Sequence, residues 1–311
     1  MQLKSQPTIS LIAWVLLLLL GLIWGGSFFF ARIAVQHVPA FTLVLLRLSL
    51  AAAALHLYLF GRFDLYATLK SHWKPFLLLG LINNALPHSL LFLGQSHLGA
   101  GLAAILNATT PIWTVIIANQ TTTDERLTPA KIAGCLVGLA GTAVLIGPAA
   151  FSKSDIPLWA LLLPIGASIS YGFAAVFSRR FRGVPSPVTA TGQLTASTIM
   201  MLPVSLLIDR PWELPVPPTS AILAVLGLAL ICTAFGYILF FRIISLAGAT
   251  NVSLVTLLVP PSAILLGVLF LDEHLGANAL IGMALIALGL VILDGRAFKF
   301  LLRKQGGSLS T

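Results

Sequence analysis

Few side chains in this sequence can do chemistry, and they are not arranged for catalysis. The nine acidic residues are Asp64, Asp124, Glu125, Asp155, Asp209, Glu213, Asp272, Glu273 and Asp294, and each falls between long apolar runs or at the end of one. The histidines do not gather with these acids or with Cys135 and Cys232, so no metal-ligand spacing arises and neither metal nor cofactor is expected. H-E-x-x-H, a P-loop and G-x-S-x-G are all missing. Ser89 beside His88 is the one nucleophile–base pair to weigh, but neighbouring residues of a helix point about 100° apart. No catalytic residue is assigned, and a hydrolase is set aside. The polar groups form a stripe instead. At about 100° per residue, Asn84, His88 and Gln95 fall within roughly 40° of one another on a leucine-rich segment. Pro87 lies inside the stripe and removes a helical N–H, freeing a carbonyl one turn back. Such a face suits a ligand cavity. Interhelical hydrogen bonding, worth about 0.6 kcal/mol on average, is the plainer alternative.

The elements that must position this stripe follow from composition. Of 311 residues, 58% are hydrophobic and 9% charged, and the mean hydropathy is +1.00. A soluble domain carries about 25% charged residues, so this surface belongs in a bilayer. The net charge of +9 comes from basic residues scattered among apolar runs. That suits membrane orientation and excludes a nucleic-acid face. Breaks at charges, prolines and polar clusters leave ten runs: 11–30, 39–60, 73–95, 98–119, 129–147, 157–177, 187–208, 220–241, 249–271 and 277–293. Each is close to the roughly 20 residues that a spanning helix needs. The expected fold is an all-α integral membrane protein of ten transmembrane helices. It is one membrane domain over 1–311, with no room for a soluble catalytic domain. The first run follows Lys4 like a signal peptide, but it is too long and lacks an A-x-A-like site, so it is expected to remain as a helix. With the N-terminus inside, fourteen lysines and arginines fall on cytoplasmic pieces and only Arg32, Lys153 and Arg210 outside. Both termini are therefore expected in the cytoplasm, residues 296–311 as a cytoplasmic tail.

The chain is also written twice. Asp124-Glu125-Arg126-Leu127 returns as Asp272-Glu273-His274-Leu275 at a shift of 148, which also carries Gly134, Gly141 and Gly147 onto Gly282, Gly289 and Gly295. At 147, Gly80 meets Gly227 and Trp24-Gly25 meets Tyr171-Gly172; at 149, Gly99 and Pro111 meet Gly248 and Pro260. So many matches at a near-constant offset mark an internal repeat. Its copies run over 11–147 and 157–295, five helices each. Five is odd, so the second copy enters the membrane from the opposite side. The expected architecture is two inverted five-helix repeats about an axis in the membrane plane, as in secondary transporters with a midplane substrate site. The acids before the fifth and tenth runs read as helix N-terminal charges, and Gly134-x-x-x-Gly138 reads as close helix packing.

A five-plus-five duplication, Trp24-Gly25 near the end of the first helix, Arg47 in the second, and Pro…Asp-Glu-x-Leu…Gly at the four–five and nine–ten junctions resemble the EamA family of the drug/metabolite transporter superfamily. The resemblance covers nearly the whole chain. It implies a small-metabolite permease of the inner (plasma) membrane and, among close relatives, an exporter of amino acids. It also implies that Glu125 stands for the family's junction glutamate, with Glu273 as its second-half equivalent.

With no carboxylate in mid-span, uniport or facilitated export by alternating access is expected; coupling through His88 or backbone carbonyls is the alternative. Arg47 is the only arginine within a run, too little interior positive charge for a phosphate-bearing substrate. A neutral or zwitterionic metabolite fits better than a nucleotide sugar, and multidrug or nucleoside-type efflux is the nearer alternative. Arg47 itself reads as a snorkelling or carbonyl-paired side chain rather than a substrate contact. The substrate cavity is expected between Asn84 and His88 on one side and Trp24, Asn107, Tyr171 and Tyr237 on the other. Amide and imidazole groups would meet a carboxylate there, and aromatic faces an apolar body. The expected partners are a small-molecule substrate and the lipid bilayer, with the protein a monomer.

Overall fold

A computed structural model of the chain describes residues 10–95, 97–98, 103, 106–122, 128–146, 156–270 and 277–294, and among them there is no strand. The helices are α1 (Leu11–Val35), α2 (Ala40–Tyr58), α3 (Leu65–Ser71), α4 (Trp73–Gln95), α5 (Thr110–Thr121), α6 (Pro129–Ile146), α7 (Leu158–Ser178), α8 (Ser186–Ile208), α9 (Thr219–Ala247), α10 (Ala249–Ser253), α11 (Val255–Phe270) and α12 (Ala277–Asp294). Six of them, α1, α2, α4, α7, α8 and α9, are long and apolar enough to cross a membrane. The expected fifth and tenth runs are the shorter apolar helices α6 and α12. The fourth and ninth runs are interrupted. A turn at 108–109 precedes α5, whose second residue is Pro111, and Leu254 separates α10 from α11. Proline is tolerated at a helix start because its missing N–H has no helical partner there. The junction residues Asp124, Glu125, Asp272 and Glu273, the glycines Gly99, Gly147 and Gly295, and the termini with Lys4 and 296–311 lie outside the described residues.

The helices are apolar nearly all round, so polarity alone does not decide which face is buried. On α1, Leu11, Val15, Leu18 and Leu22 are exposed while Ala13, Leu17 and Leu20 are fully buried. Small residues such as Ala51, Ala174 and Ala190 fill the core. Where both lipid and protein are apolar, small residues mark the face on which helices approach closely.

The most extensive contact joins α6 to α12. A Cβ added at Gly134 would stand 2.8 Å from the Gly289 carbonyl oxygen, and one at Gly141 2.9 Å from that of Gly282. Position 134 meets 289 where 141 meets 282, so the two helices run antiparallel. The shift of 148 turns 134 into 282 and 141 into 289, so the contact maps onto itself when the helices are exchanged.

A second shared feature sits in α4 and α9. Leu81–Ala85 and Leu228–Phe235 are π-helical, and each stretch follows directly on a glycine, Gly80 or Gly227. A wide turn adds a residue to the helical circuit and takes carbonyls out of the ladder, which is why such turns gather at functional sites. Helix α8 lies against the first wide turn and α2 against the second.

Candidate functional site

The wide turns border a partly open cavity, with about 850 Å³ of empty space when its mouth is included, lined from α1, α2, α4, α5, α7, α9, α10 and α11. Both halves of the chain contribute to its wall.

Two aromatic residues tie the wide turns across the cavity. The Trp24 indole Nε1 donates to the Cys232 carbonyl at 3.0 Å, and the Tyr237 hydroxyl donates to the Asn83 carbonyl at 3.2 Å. Beside it, the Ile82 carbonyl accepts from Ser170 Oγ at 2.7 Å. The wide turn and the missing N–H of Pro87 release Ile82 and Asn83 from the helical ladder, so side chains must satisfy them. The two rings meet edge to face at 6.1 Å, with Phe240 against both. Trp24 and Tyr237 thus offer the cavity their ring faces, while their polar heads hold the halves together.

On the same cavity lining, His88 is buried, edge-on to Tyr171 at 6.3 Å and stacked on Phe92 at 6.4 Å. Its Nδ1 has no hydrogen-bond partner among the described residues. Asn107 is buried as well, and its Oδ1 is likewise unpartnered. Its own carbonyl accepts from Ser168 Oγ at 3.1 Å and Thr110 Oγ1 at 2.7 Å, which fixes the interrupted chain before α5. Ser253 and Thr256 supply the equivalent stretch of the second half.

Of the residues expected at the site, Trp24, His88, Asn107, Tyr171 and Tyr237 line this one cavity, and Asn84 does not. The Asn84 side chain is fully buried and donates to Ser197 Oγ of α8 at 3.0 Å. Its neighbour Asn83 takes the lining position, with Nδ2 donating to Gln193 Oε1 at 2.8 Å. The cause is the wide turn itself. Counting at 100° per residue through a π-helical stretch slips the register by about one residue.

Arg47 is a second correction. It neither snorkels nor meets helix-end carbonyls: it is 7% exposed, lines the cavity and donates from Nε to Thr233 Oγ1 at 2.7 Å. Thr233 in turn donates to the Leu228 carbonyl five residues back, a bond that exists only because that turn is wide. The sequence carries no direct signal of this partner 186 positions away. The glycine that precedes each wide turn and the proline after the first are the nearest clues.

The chain matches the EamA-like transporter family over residues 11–147 and again over 158–293. It belongs to that family. Among relatives, it is 25% identical to an uncharacterized transporter, YoaV, of Bacillus subtilis, over 91% of this chain and 96% of that one. It is 26% identical to a probable terminal-alkyne amino-acid exporter of Streptantibioticus cattleyicolor, over 93% and 95%. An uncharacterized inner membrane transporter of Escherichia coli, YedA, is 27% identical over 88% and 86%. A solved crystal structure superposes with a TM-score of 0.71 at 25% identity, covering 91% of this chain and 97% of that one. The two matched stretches of this EamA-like protein coincide closely with the duplication read from its glycines, and each contributes one wide turn to the cavity wall.

Proposed function

We propose that this EamA-like protein is an inner-membrane permease that exports amino acids or similar small amphipathic metabolites by alternating access. The observation that carries the proposal is the cavity, lined from both halves, with aromatic side chains and the unpartnered buried polar atoms of His88 and Asn107. A small-molecule site needs that mixture of apolar wall and few convergent polar groups. The relative named as a probable amino-acid exporter favours the same substrate class.

The architecture proposed with it is ten spans in two inverted repeats, both termini cytoplasmic, acting as a monomer without catalytic chemistry. The antiparallel, self-mapping contact of α6 with α12 supports the inversion, because a two-fold axis in the membrane plane reverses a helix onto its equivalent. Among the described residues no acid lines the cavity, which favours uniport over proton coupling through a carboxylate.

Purified protein in liposomes tests the proposal. With no imposed pH or sodium gradient, labelled phenylalanine should exchange against internal unlabelled phenylalanine. Strict dependence on an ion gradient would remove the uniport reading, and absence of flux for every amino acid, drug and nucleoside tried would remove the transporter reading. His88→Ala should lower this exchange several-fold while leaving membrane insertion and melting temperature close to wild type. Exchange at the wild-type rate would move the site away from α4.

A further inference from the structure

We infer that Arg47 is the carboxylate-binding group of the cavity, and that the carboxylate, not the ammonium, is the pole by which a substrate is recognised. The class implied is a monocarboxylate with an apolar body of roughly aromatic size, with or without an amine. This inference rests on the transporter reading above and deepens it.

The arrangement of the guanidinium carries the argument. Its Nε is fixed by Thr233 Oγ1, whose own hydrogen is spent on the Leu228 carbonyl. The hydroxyl oxygen is therefore held with a lone pair toward Arg47. Neither terminal nitrogen bonds to a described residue, although the side chain is buried and lines the cavity. Anchored through Nε, the group presents its two terminal N–H₂ groups end-on, the fork that matches both oxygens of a carboxylate.

Countercharge from the protein is missing from the described surroundings. Asp209 accepts from the backbone and hydroxyl of Thr42 at the start of α2, and Glu213 pairs with Arg210. Asp64 does not line the cavity either. A buried, unpaired guanidinium is costly, so an anion entering this space is favoured well beyond what the apolar walls supply. One cation matches one negative charge. A phosphate ester would need further cations around it.

An ammonium finds much less. The cavity offers it only neutral acceptors, Asn107 Oδ1 and, in the tautomer that leaves it bare, His88 Nδ1, together with the faces of Trp24, Tyr171 and Tyr237. These are weaker than an ion pair and are left no worse when the substrate has no amine. Loss of the amine is therefore tolerated, and loss of the carboxylate is not.

Three probes with one phenyl body separate the poles: 3-phenylpropanoate, phenylalanine and phenylalaninol. Their binding to the full chain in detergent micelles is measured by calorimetry for wild type, Arg47→Gln, Arg47→Lys and Thr233→Val. Wild type should bind 3-phenylpropanoate at least as tightly as phenylalanine, and both at least about tenfold more tightly than phenylalaninol. Arg47→Gln should erase that preference. Arg47→Lys should restore part of it, and Thr233→Val should weaken carboxylate binding while keeping its sign. The wild-type comparison needs no variant to fold. Wild type binding phenylalaninol as well as phenylalanine, or Arg47→Gln keeping the carboxylate preference, would overturn the assignment. Counterflow in liposomes tells the two readings apart. Arg47-dependent binding without flux of any probe keeps the assignment and removes the transporter reading; flux of phenylalaninol equal to that of phenylalanine does the reverse.

Discussion

The wide turns of α4 and α9 start 147 residues apart, and each packs most extensively against one helix of the other half. Against the first, Gln193 of α8 receives the Asn83 amide; against the second, Arg47 of α2 donates to Thr233. Positions 47 and 193 are themselves 146 apart, so the two contacts occupy equivalent places. One is a neutral amide pair and the other carries a charge. The scaffold is thus repeated while its chemistry is not. Duplication provides two similar frames for side chains, and binding needs only one of them to hold an ion.

The comparison can be broken at three depths. Gly80→Ala should have the largest effect, about 1–3 kcal/mol of destabilisation. Its Cβ would stand 2.8 Å from the Gln193 carbonyl oxygen and 3.0 Å from the Ser197 nitrogen, main-chain atoms that cannot step aside. For Gly227→Ala the nearest atoms all belong to the Phe30 ring, the first at 2.9 Å. A ring can turn, and the roughly 1 kcal/mol gained in helix propensity offsets the contact. Melting temperatures of the two variants in one detergent check this, and equal losses would contradict it. Next, Thr233→Val should cost about 1–3 kcal/mol because it strands a buried charged donor, whereas Asn83→Leu should cost nearer 1 kcal/mol since only a neutral acceptor is left. Equal costs would mean that Arg47 has found another partner. Smallest, Tyr237→Phe should lose about 0.5–1.5 kcal/mol with the Asn83 carbonyl unbonded. Denaturation in mixed micelles would register it, and no change would place water at that carbonyl.

How much of this was legible in the sequence depended on distance along the chain. The run 73–95 is the helix Trp73–Gln95 to the residue, because its limits are set locally by Ser71-His72 and by the polar stretch after Gln95. The all-helical character and the six spanning helices follow from apolar length alone. Trp24, His88, Asn107, Tyr171 and Tyr237 could be named from residue type and repeat position, and they meet around one cavity. Asn84 was misplaced because helical arithmetic assumes an even turn, and the turn there is wide. Arg47 was misread for a different reason. Whether a buried cation snorkels, pairs or faces a cavity depends on a threonine of another helix, and no local pattern reports it.

The seam between α6 and α12 bears on how such a molecule can move. Most helix contacts are upholstered with side chains, which change rotamer to absorb a small slide. Here main chain lies on main chain, at Gly134, Gly141 and Gly289. With few side chains between the backbones, the seam has little graded response to shear and loses little side-chain entropy by staying closed. The two helices therefore travel as one stiff beam, and any rocking of the bundle is taken up at the softer, side-chain-lined interfaces that surround the cavity.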